Sequence, residues 1–207
     1  MKLAPEGYPF IIVFAVATAV AYTAFGLLPA VVPFFLTLFM VSFFRDPERL
    51  VPDAPDLFVS PADGKVIVVR ETHEGKYLHA DVKQISIFMS PLNVHVNRVP
   101  CDGTVKSVVH NRGRFLAAYK DDASVKNENI EMVMSTAYGD VLIRQVAGFV
   151  ARRAVCRKIA GDVMRRGERY GMIKFSSRVD VYLPATAAVS VKPGDVVKAG
   201  ETVLARL

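Results

Sequence analysis

Four places in the 207-residue chain bring together side chains able to do chemistry. Ser60-Pro61-Ala62-Asp63-Gly64 sets a carboxylate at a tight turn, where an Asp ordinarily caps its own backbone. Ser90-Pro91-Leu92-Asn93-Val94-His95-Val96-Asn97-Arg98 sets one histidine between two valines. Such a histidine is commonly a satisfied structural residue, yet it is also the side chain whose charge changes near neutral pH, as a general base requires. The third place is a basic cluster from Arg152 to Arg169, with Arg153, Arg157, Lys158, Arg165 and Arg166 between them. The fourth is Ser176-Ser177, followed by Arg178-Val179-Asp180 in a strand-like run. A serine hydroxyl attacks a carbonyl only when a base takes its proton. The histidine and the serine pair are therefore of interest together.

Other chemistries lack their residues. Cys101 and Cys156 form neither a disulfide framework nor a zinc cluster, and no HExxH, CxxC, Walker A, GxGxxG or GxSxG pattern occurs. The basic cluster has no aromatic stacking platform beside it, which argues against nucleic acid and for anionic lipid headgroups.

The elements that must position these residues fall into two blocks. Residues 1–44 contain only Lys2 and Glu6 as charged side chains, so the net charge of +6 belongs to residues 45–207. From Gly7 to Phe44 there is no charge at all. One helix of that length would reach about 57 Å, well beyond a hydrocarbon core of about 30 Å. Gly26, Pro29 and Pro33 punctuate it, which predicts two helices, roughly 9–26 and 30–44, as a hairpin. The second is short for a full span, so spanning and deeply interfacial geometries both fit. Arg45 and Arg49 follow, and basic flanks favour the cytoplasmic side of a cell membrane. The +6 body then faces anionic lipids that attract it.

After Pro52 the chain turns to short β-rich runs. LFVS-PADG-KVIVV reads as strand, turn, strand; GTVKSVV as an exposed strand; and MVMSTAYGDVLIRQVAGFVARRAV as two strands around Gly139-Asp140, ending in a helix. Residues 112–131 read as loop. The last twenty residues, with turns at Pro193-Gly194-Asp195 and Ala199-Gly200-Glu201, resemble the hammerhead edge of lipoyl and biotinyl carrier domains, though neither turn offers Met-Lys. The expected class is α+β, mostly β: a barrel-sandwich or hammerhead-like domain over 45–207 behind a helical hairpin over 1–44.

Taken in order, FFRDPER, SPADGKV, ISIFMSPLNVHVNRVP, QVAGFVARR and GERYGMIKFSSRVDVYLP resemble the phosphatidylserine decarboxylase family in its short bacterial and archaeal form. The resemblance spans nearly the whole chain, and it implies a definite chemistry. The hydroxyl of Ser177 attacks the carbonyl of Ser176, and elimination leaves a pyruvoyl group as the covalent cofactor, without metal or nucleotide. A β chain of residues 1–176 and an α chain of residues 177–207 stay together as a heterodimer. His95 is implied as base and Asp63 as the group that orients it. A Schiff base with the substrate amine then carries the decarboxylation of phosphatidylserine to phosphatidylethanolamine, and His95 returns the proton.

Arg152 and Arg153 are implied as phosphate contacts, and Asn127-Glu128 as a pair lining the site. Expected partners are the lipid substrate and an anionic membrane surface, with no nucleic acid; association of like chains is compatible with this. Two positions depart from the family pattern. Ser176 stands where glycine is common, and Arg98 stands where longer members have a second histidine, so His95 would serve both steps. A lipoyl-like carrier module, or a membrane scaffold of the same fold that does not process itself, is the competing reading.

Overall fold

The computed structural model describes residues 2–113, 127–148, 153–174 and 177–207. The chain divides into two compact units, 1–48 and 49–207.

In the first unit, β1 (Lys2–Leu3) pairs antiparallel with β2 (Arg45–Asp46), closing the ends of a helical hairpin. After a single 3-10 turn at Pro5–Gly7 come α1 (Tyr8–Phe25) and α2 (Leu27–Phe43). Gly26 joins them at φ 83°, a conformation costly for any residue with a Cβ. The second helix starts three residues earlier than its prolines suggest. Pro29 lies in the first turn of α2, where the missing N–H would have had no intrahelical partner. Apolar side chains such as Ile12, Val16, Val20, Leu28, Val32 and Phe35 are exposed around both helices, so neither shows a polar face. Pro5–Phe25 is long and apolar enough to cross a membrane; α2, at 17 residues, is shorter. The hydroxyls of Thr18 and Thr37 donate to the carbonyls of Phe14 and Pro33 at 2.8 Å, so neither leaves a polar group unmatched on an apolar helix.

The second unit is mostly β, as its composition predicts. In chain order its strands are β3 (Leu57–Val59), β4 (Gly64–Glu74), β5 (Ala80–Met89), β6 (Val96–Arg98), β7 (Gly103–Asn111), β8 (Asn129–Thr136) and β9 (Gly139–Ala147). They continue with β10 (Arg153–Cys156), β11 (Val163–Met164), β12 (Arg169–Lys174), β13 (Ser177–Pro184), β14 (Ala188–Val189), β15 (Val196–Val197) and β16 (Val203–Arg206). An eight-stranded curled sheet runs β11-β7-β8-β9-β13-β5-β4-β15, with two three-stranded sheets, β10-β12-β6 and β14-β16-β3.

One local expectation gains detail and two others change. Strands β3 and β4 flank the Asp63 turn but do not pair with each other: β3 joins β16, and β4 joins β5 and β15. The turn is therefore a corner between sheets and not a hairpin tip. Gly64 is what allows the corner to close, because a Cβ there would lie 2.1 Å from the carbonyl oxygen of Phe88. The run ending in RRAV gives strand β10, not a helix: it pairs antiparallel with β12 in the sheet β10-β12-β6. The loop read over 112–131 falls largely outside the described residues, and its last residues, from Asn129, already belong to β8.

Strand β13 is central, with β5 on one side and β9 on the other. Its alternation sorts side chains between two faces. Val179, Val181 and Leu183 join Ile85, Ile87, Met89 and Ile143 in the main apolar core. Arg178 and Asp180 leave from the opposite face, where Tyr182 joins a small cluster with Val82, Val133 and Leu142.

Candidate active site

Ser177 is the first residue of β13 and is wholly buried, opposite Met89 of β5 and Ala147 of β9. Among the described residues its hydroxyl reaches the thioether of Met89, Oγ to Sδ 3.4 Å. Sulfur is a weak acceptor, so the hydroxyl is held in place without a strong competitor for its proton. Ser176 lies outside the described residues, as does Arg152.

His95 lies just before β6, and its ring is fully buried. The turn before it is built by Asn93, whose Oδ1 accepts from both the N–H and the hydroxyl of Ser90 at 2.8 Å. The carbonyl of the same Asn93 lies 2.9 Å from His95 Nδ1. A carbonyl can only accept, so Nδ1 carries the hydrogen and Nε2 is the basic nitrogen of the neutral ring. The carbonyl of His95 accepts the N–H of Ile173 at 3.3 Å, and Val96 and Asn97 pair with Met172 and Gly171. His95 is thereby fastened to β12, the strand that runs into residues 175–176 and on to Ser177.

Asp63 does not make the contact with His95 that the resemblance implies. Its carboxylate takes Arg49 Nη2 on both oxygens, at 3.0 and 2.8 Å, and the N–H of Ala199 at 2.8 Å. Among the described residues, the partner that orients the ring at Nδ1 is the Asn93 carbonyl. A longer route does join the two. Pro61, in the same corner as Asp63, accepts the N–H of Arg98 at 2.9 Å and faces Asn97 Nδ2 at 3.5 Å. Asp63 fixes the corner, the corner fixes β6, and His95 precedes β6. Arg98, at the place of the second histidine of longer members, donates Nη1 to the carbonyl of Gly167 at 2.8 Å and is buried.

Asn127 and Glu128 hold the strand beside Ser177. Asn127 Nδ2 donates to the carbonyl of Ala147 at 2.7 Å, and the N–H of Ala147 donates to the carbonyl of Glu128 at 2.9 Å. Ala147 is the ladder partner of Ser177, so this pair borders the serine through one residue. Arg153 is exposed and sits opposite Lys174, two residues before Ser176.

Sequence reasoning missed four residues. Arg49 binds Asp63 across 14 positions with no local pattern to announce it. Gln145 Nε2 donates to Asn97 Oδ1 at 2.9 Å, and Asn97 Nδ2 faces Met89 Sδ at 3.7 Å. Met89, Asn97 and Gln145 thus form a buried layer under the serine; polar residues at inward positions of β6 and β9 were its only signal.

On the opposite face of β13 lies a second buried polar group. Arg178 Nε donates to Asp180 Oδ1 at 2.5 Å and Nη2 to Ser86 Oγ at 2.9 Å. Arg144 donates Nε to Glu131 Oε1 at 2.8 Å and Nη1 to the Tyr182 hydroxyl at 2.7 Å. Glu131 also takes Lys76 Nζ at 2.6 Å and the Tyr77 hydroxyl at 2.8 Å. Burial pushes the Glu131 carboxyl up, but these donors and the Arg144 charge outweigh it and hold the group below the usual carboxylate range.

The cysteines are poor rivals to Ser177 as nucleophile. Burial, with Asp102 adding to it, pushes the Cys101 thiol up to about 12, and burial raises Cys156 as well.

Comparison with known proteins identifies the family. The family model for phosphatidylserine decarboxylase matches residues 36–205. A phosphatidylserine decarboxylase proenzyme of Desulfotalea psychrophila is 42% identical over 208 residues, covering 100% of this chain and 97% of the relative. The proenzyme of Geobacter metallireducens is 45% identical over 211 residues (99% and 96%), and that of Ralstonia nicotianae 44% over 206 residues (99% and 95%). With a match of this extent, the chain belongs to the phosphatidylserine decarboxylase family.

Proposed function

We propose that the chain is a proenzyme that cuts itself between Ser176 and Ser177 and then decarboxylates phosphatidylserine to phosphatidylethanolamine at a membrane. The family match and the proenzyme names of its relatives support the reaction. The observation that carries the cleavage is the position of Ser177: buried, first in its strand, and with its hydroxyl against a thioether.

Self-cleavage needs a base, and His95 is the candidate, since its basic nitrogen is Nε2. The hydroxyl of Ser177 gives up its proton and attacks the carbonyl of Ser176; the C–N bond breaks and an ester forms. Loss of the α-proton of residue 177 then expels the carboxylate of Ser176 and leaves dehydroalanine. One water enters, ammonia leaves, and the short chain ends in a pyruvoyl group. General-base assistance of this kind is typically worth roughly 10²–10⁴-fold.

The residues present suit such a group. The start of β13 is enclosed, and Met89, Asn97 and Gln145 give it both apolar and donor walls. Once formed, the ketone supplies a carbonyl that condenses with a primary amine and draws off the electrons released with CO₂. The remaining work belongs to the chain. His95 holds the proton that the product carbon needs. Asp63, tied to Arg49 and Ala199, keeps the corner and β6 in register, which makes it a positioning residue. Arg152 and Arg153 are the candidate contacts for the lipid phosphate, with Asn127 and Glu128 fixing the strand beside the reaction. The apolar hairpin serves as the membrane attachment, with the second unit on the cytoplasmic side. A lipid substrate then need not leave its bilayer.

Intact mass of the purified protein tests the cleavage. Two chains of 176 and 31 residues are expected, the shorter with a blocked N-terminus that carries a ketone. One full-length chain that nonetheless decarboxylates the lipid would overturn the mechanism.

A further inference from the structure

We infer that the turn between β10 and β11 is a second membrane contact, docking the catalytic unit on a bilayer of anionic phospholipid. The turn presents Ile159 at 70% exposure and β11 opens with Val163 at 77%, two of the most exposed large apolar side chains of the unit. Exposed residues of this kind scattered singly need no explanation. Here they stand four positions apart on one rigid projection, and the rigidity is built in. Asp162 Oδ2 accepts the N–H of Ile159 at 3.0 Å, and the N–H of Asp162 returns to the Ile159 carbonyl at 3.2 Å. Two further bonds pin the turn to β7: Gly161 N–H to the Val105 carbonyl at 2.8 Å, and Val105 N–H to the Asp162 carbonyl at 2.9 Å. The apolar tips are held outward and cannot fold back to cover themselves.

The charge around the tip selects the partner. Residues 157–166 hold Arg157, Lys158, Arg165 and Arg166 against the single carboxylate of Asp162. Arg157 and Arg165 are exposed on either side of the apolar residues. Beside them opens a cleft of about 500 Å³ whose lining includes Lys106, His110, Arg157 and Lys158. Lys158 is paired with Glu168 and Lys106 with Asp140, so the exposed arginines Arg157 and Arg165 carry the match of these apolar tips to an interface whose headgroups are anionic and whose interior is hydrocarbon. A nucleic acid would match the cations only, and residues 157–166 contain no aromatic side chain on which a base could stack. The ladder of β10 with β12 joins this turn to the strand that leads into the cleavage site. The inference deepens the proposed function and takes its biological sense from it, but its test reads position and not turnover.

The chain has no tryptophan, so Ile159→Trp installs a single fluorescent reporter. The full-length variant is reconstituted into nanodiscs of phosphatidylcholine alone or mixed with phosphatidylglycerol, with and without brominated acyl chains. Blue-shifted emission quenched several-fold by bromolipid in the anionic discs is expected, with a weaker effect in neutral discs or at high salt. Arg157→Gln with Arg165→Gln in the same background should return the emission towards that of water-exposed indole. Val163→Trp repeats the measurement should the first variant fold poorly. Val196→Trp, on the edge strand β15 at the same 77% exposure as Val163, is the control and should stay unquenched. Water-like emission in anionic discs overturns the inference. So does equal quenching of the control, or a blue shift produced by single-stranded DNA in place of lipid. Uncut chain with a quenched reporter would support docking while sinking the self-cleavage reading, so the two fail separately.

Discussion

Strand β13 divides two environments. Towards the main core, Ser177 is followed by Val179, Val181 and Leu183, and its hydroxyl finds only a sulfur among the described residues. On the reverse face, Arg178 and Asp180 form an ion pair at 2.5 Å with exposures of 1% and 0%, beside the Arg144–Glu131 pair. Burying charge is costly unless every charge is matched, and such pairs seldom add net stability over apolar residues of similar shape. What they add here is geometry. Among the described residues Ser177 has only the contact with Met89 Sδ to fix its hydroxyl, and the residue after it is fixed by several bonds. The strand is positioned from behind so that its front is left chemically unencumbered.

Four substitutions break or sharpen that contrast. Ser177→Ala removes the proposed nucleophile and leaves the reverse face intact: the chain should remain uncut on a denaturing gel, with lipid decarboxylation lost, while the thermal midpoint stays near that of the parent. Arg178→Met takes its ion-pair partner from the buried Asp180 carboxylate. Denaturant unfolding should show about 3–5 kcal/mol of lost stability, and cleavage should slow although no atom of the serine has changed.

Glu131→Gln acts on the same face, further from the serine, and should cost about 2 kcal/mol at neutral pH by weakening its charged hydrogen bonds. Its pH dependence sharpens the point. The folded Glu131 carboxyl titrates below its unfolded value, so its contribution is fully present above the unfolded pKa and is lost as pH falls through the folded one. Acid titration of stability should therefore be shallower in Glu131→Gln than in the parent below about pH 4, the unfolded range of a glutamate. Lys106→Ala removes a surface pair with Asp140, the two side chains 53% and 31% exposed, and should change stability by about 0.5 kcal/mol or less. An equal effect from Lys106 and Arg178 would remove the distinction between a matched interior and a solvated surface.

Much of this architecture was legible in the chain because its signals are local. The uncharged run from Gly7 to Phe44 with Gly26 at its middle specifies a helical hairpin, and the Gly-containing turns near the C-terminus specify short strands. The Ser177 and His95 motifs stand out for the same reason, each being a compact string. Long-range pairing left no such trace. Nothing in SPADG reveals that Asp63 answers to Arg49 and Ala199, 14 and 136 positions away, rather than to a histidine. Asn97 and Gln145 meet across 48 positions, and only β-sheet register brings them together. The tautomer of His95 sits between these cases, since its partner, the Asn93 carbonyl, is two residues away, but the turn that aims it depends on backbone geometry.

The place of β13 in the middle of the large sheet has a consequence for the life of the molecule. The segment from Ser177 onward supplies β13, β15 and β16, which lie against β5, β9, β4 and β3 of the preceding chain. As one covalent chain, these strands find their neighbours by closing a loop. Severed at the entrance to β13, the short piece would stay woven in, yet after denaturation the two pieces would have to meet again by diffusion. Maturation of this kind turns a protein that folds into one that, once taken apart, has lost the connection that assembled it.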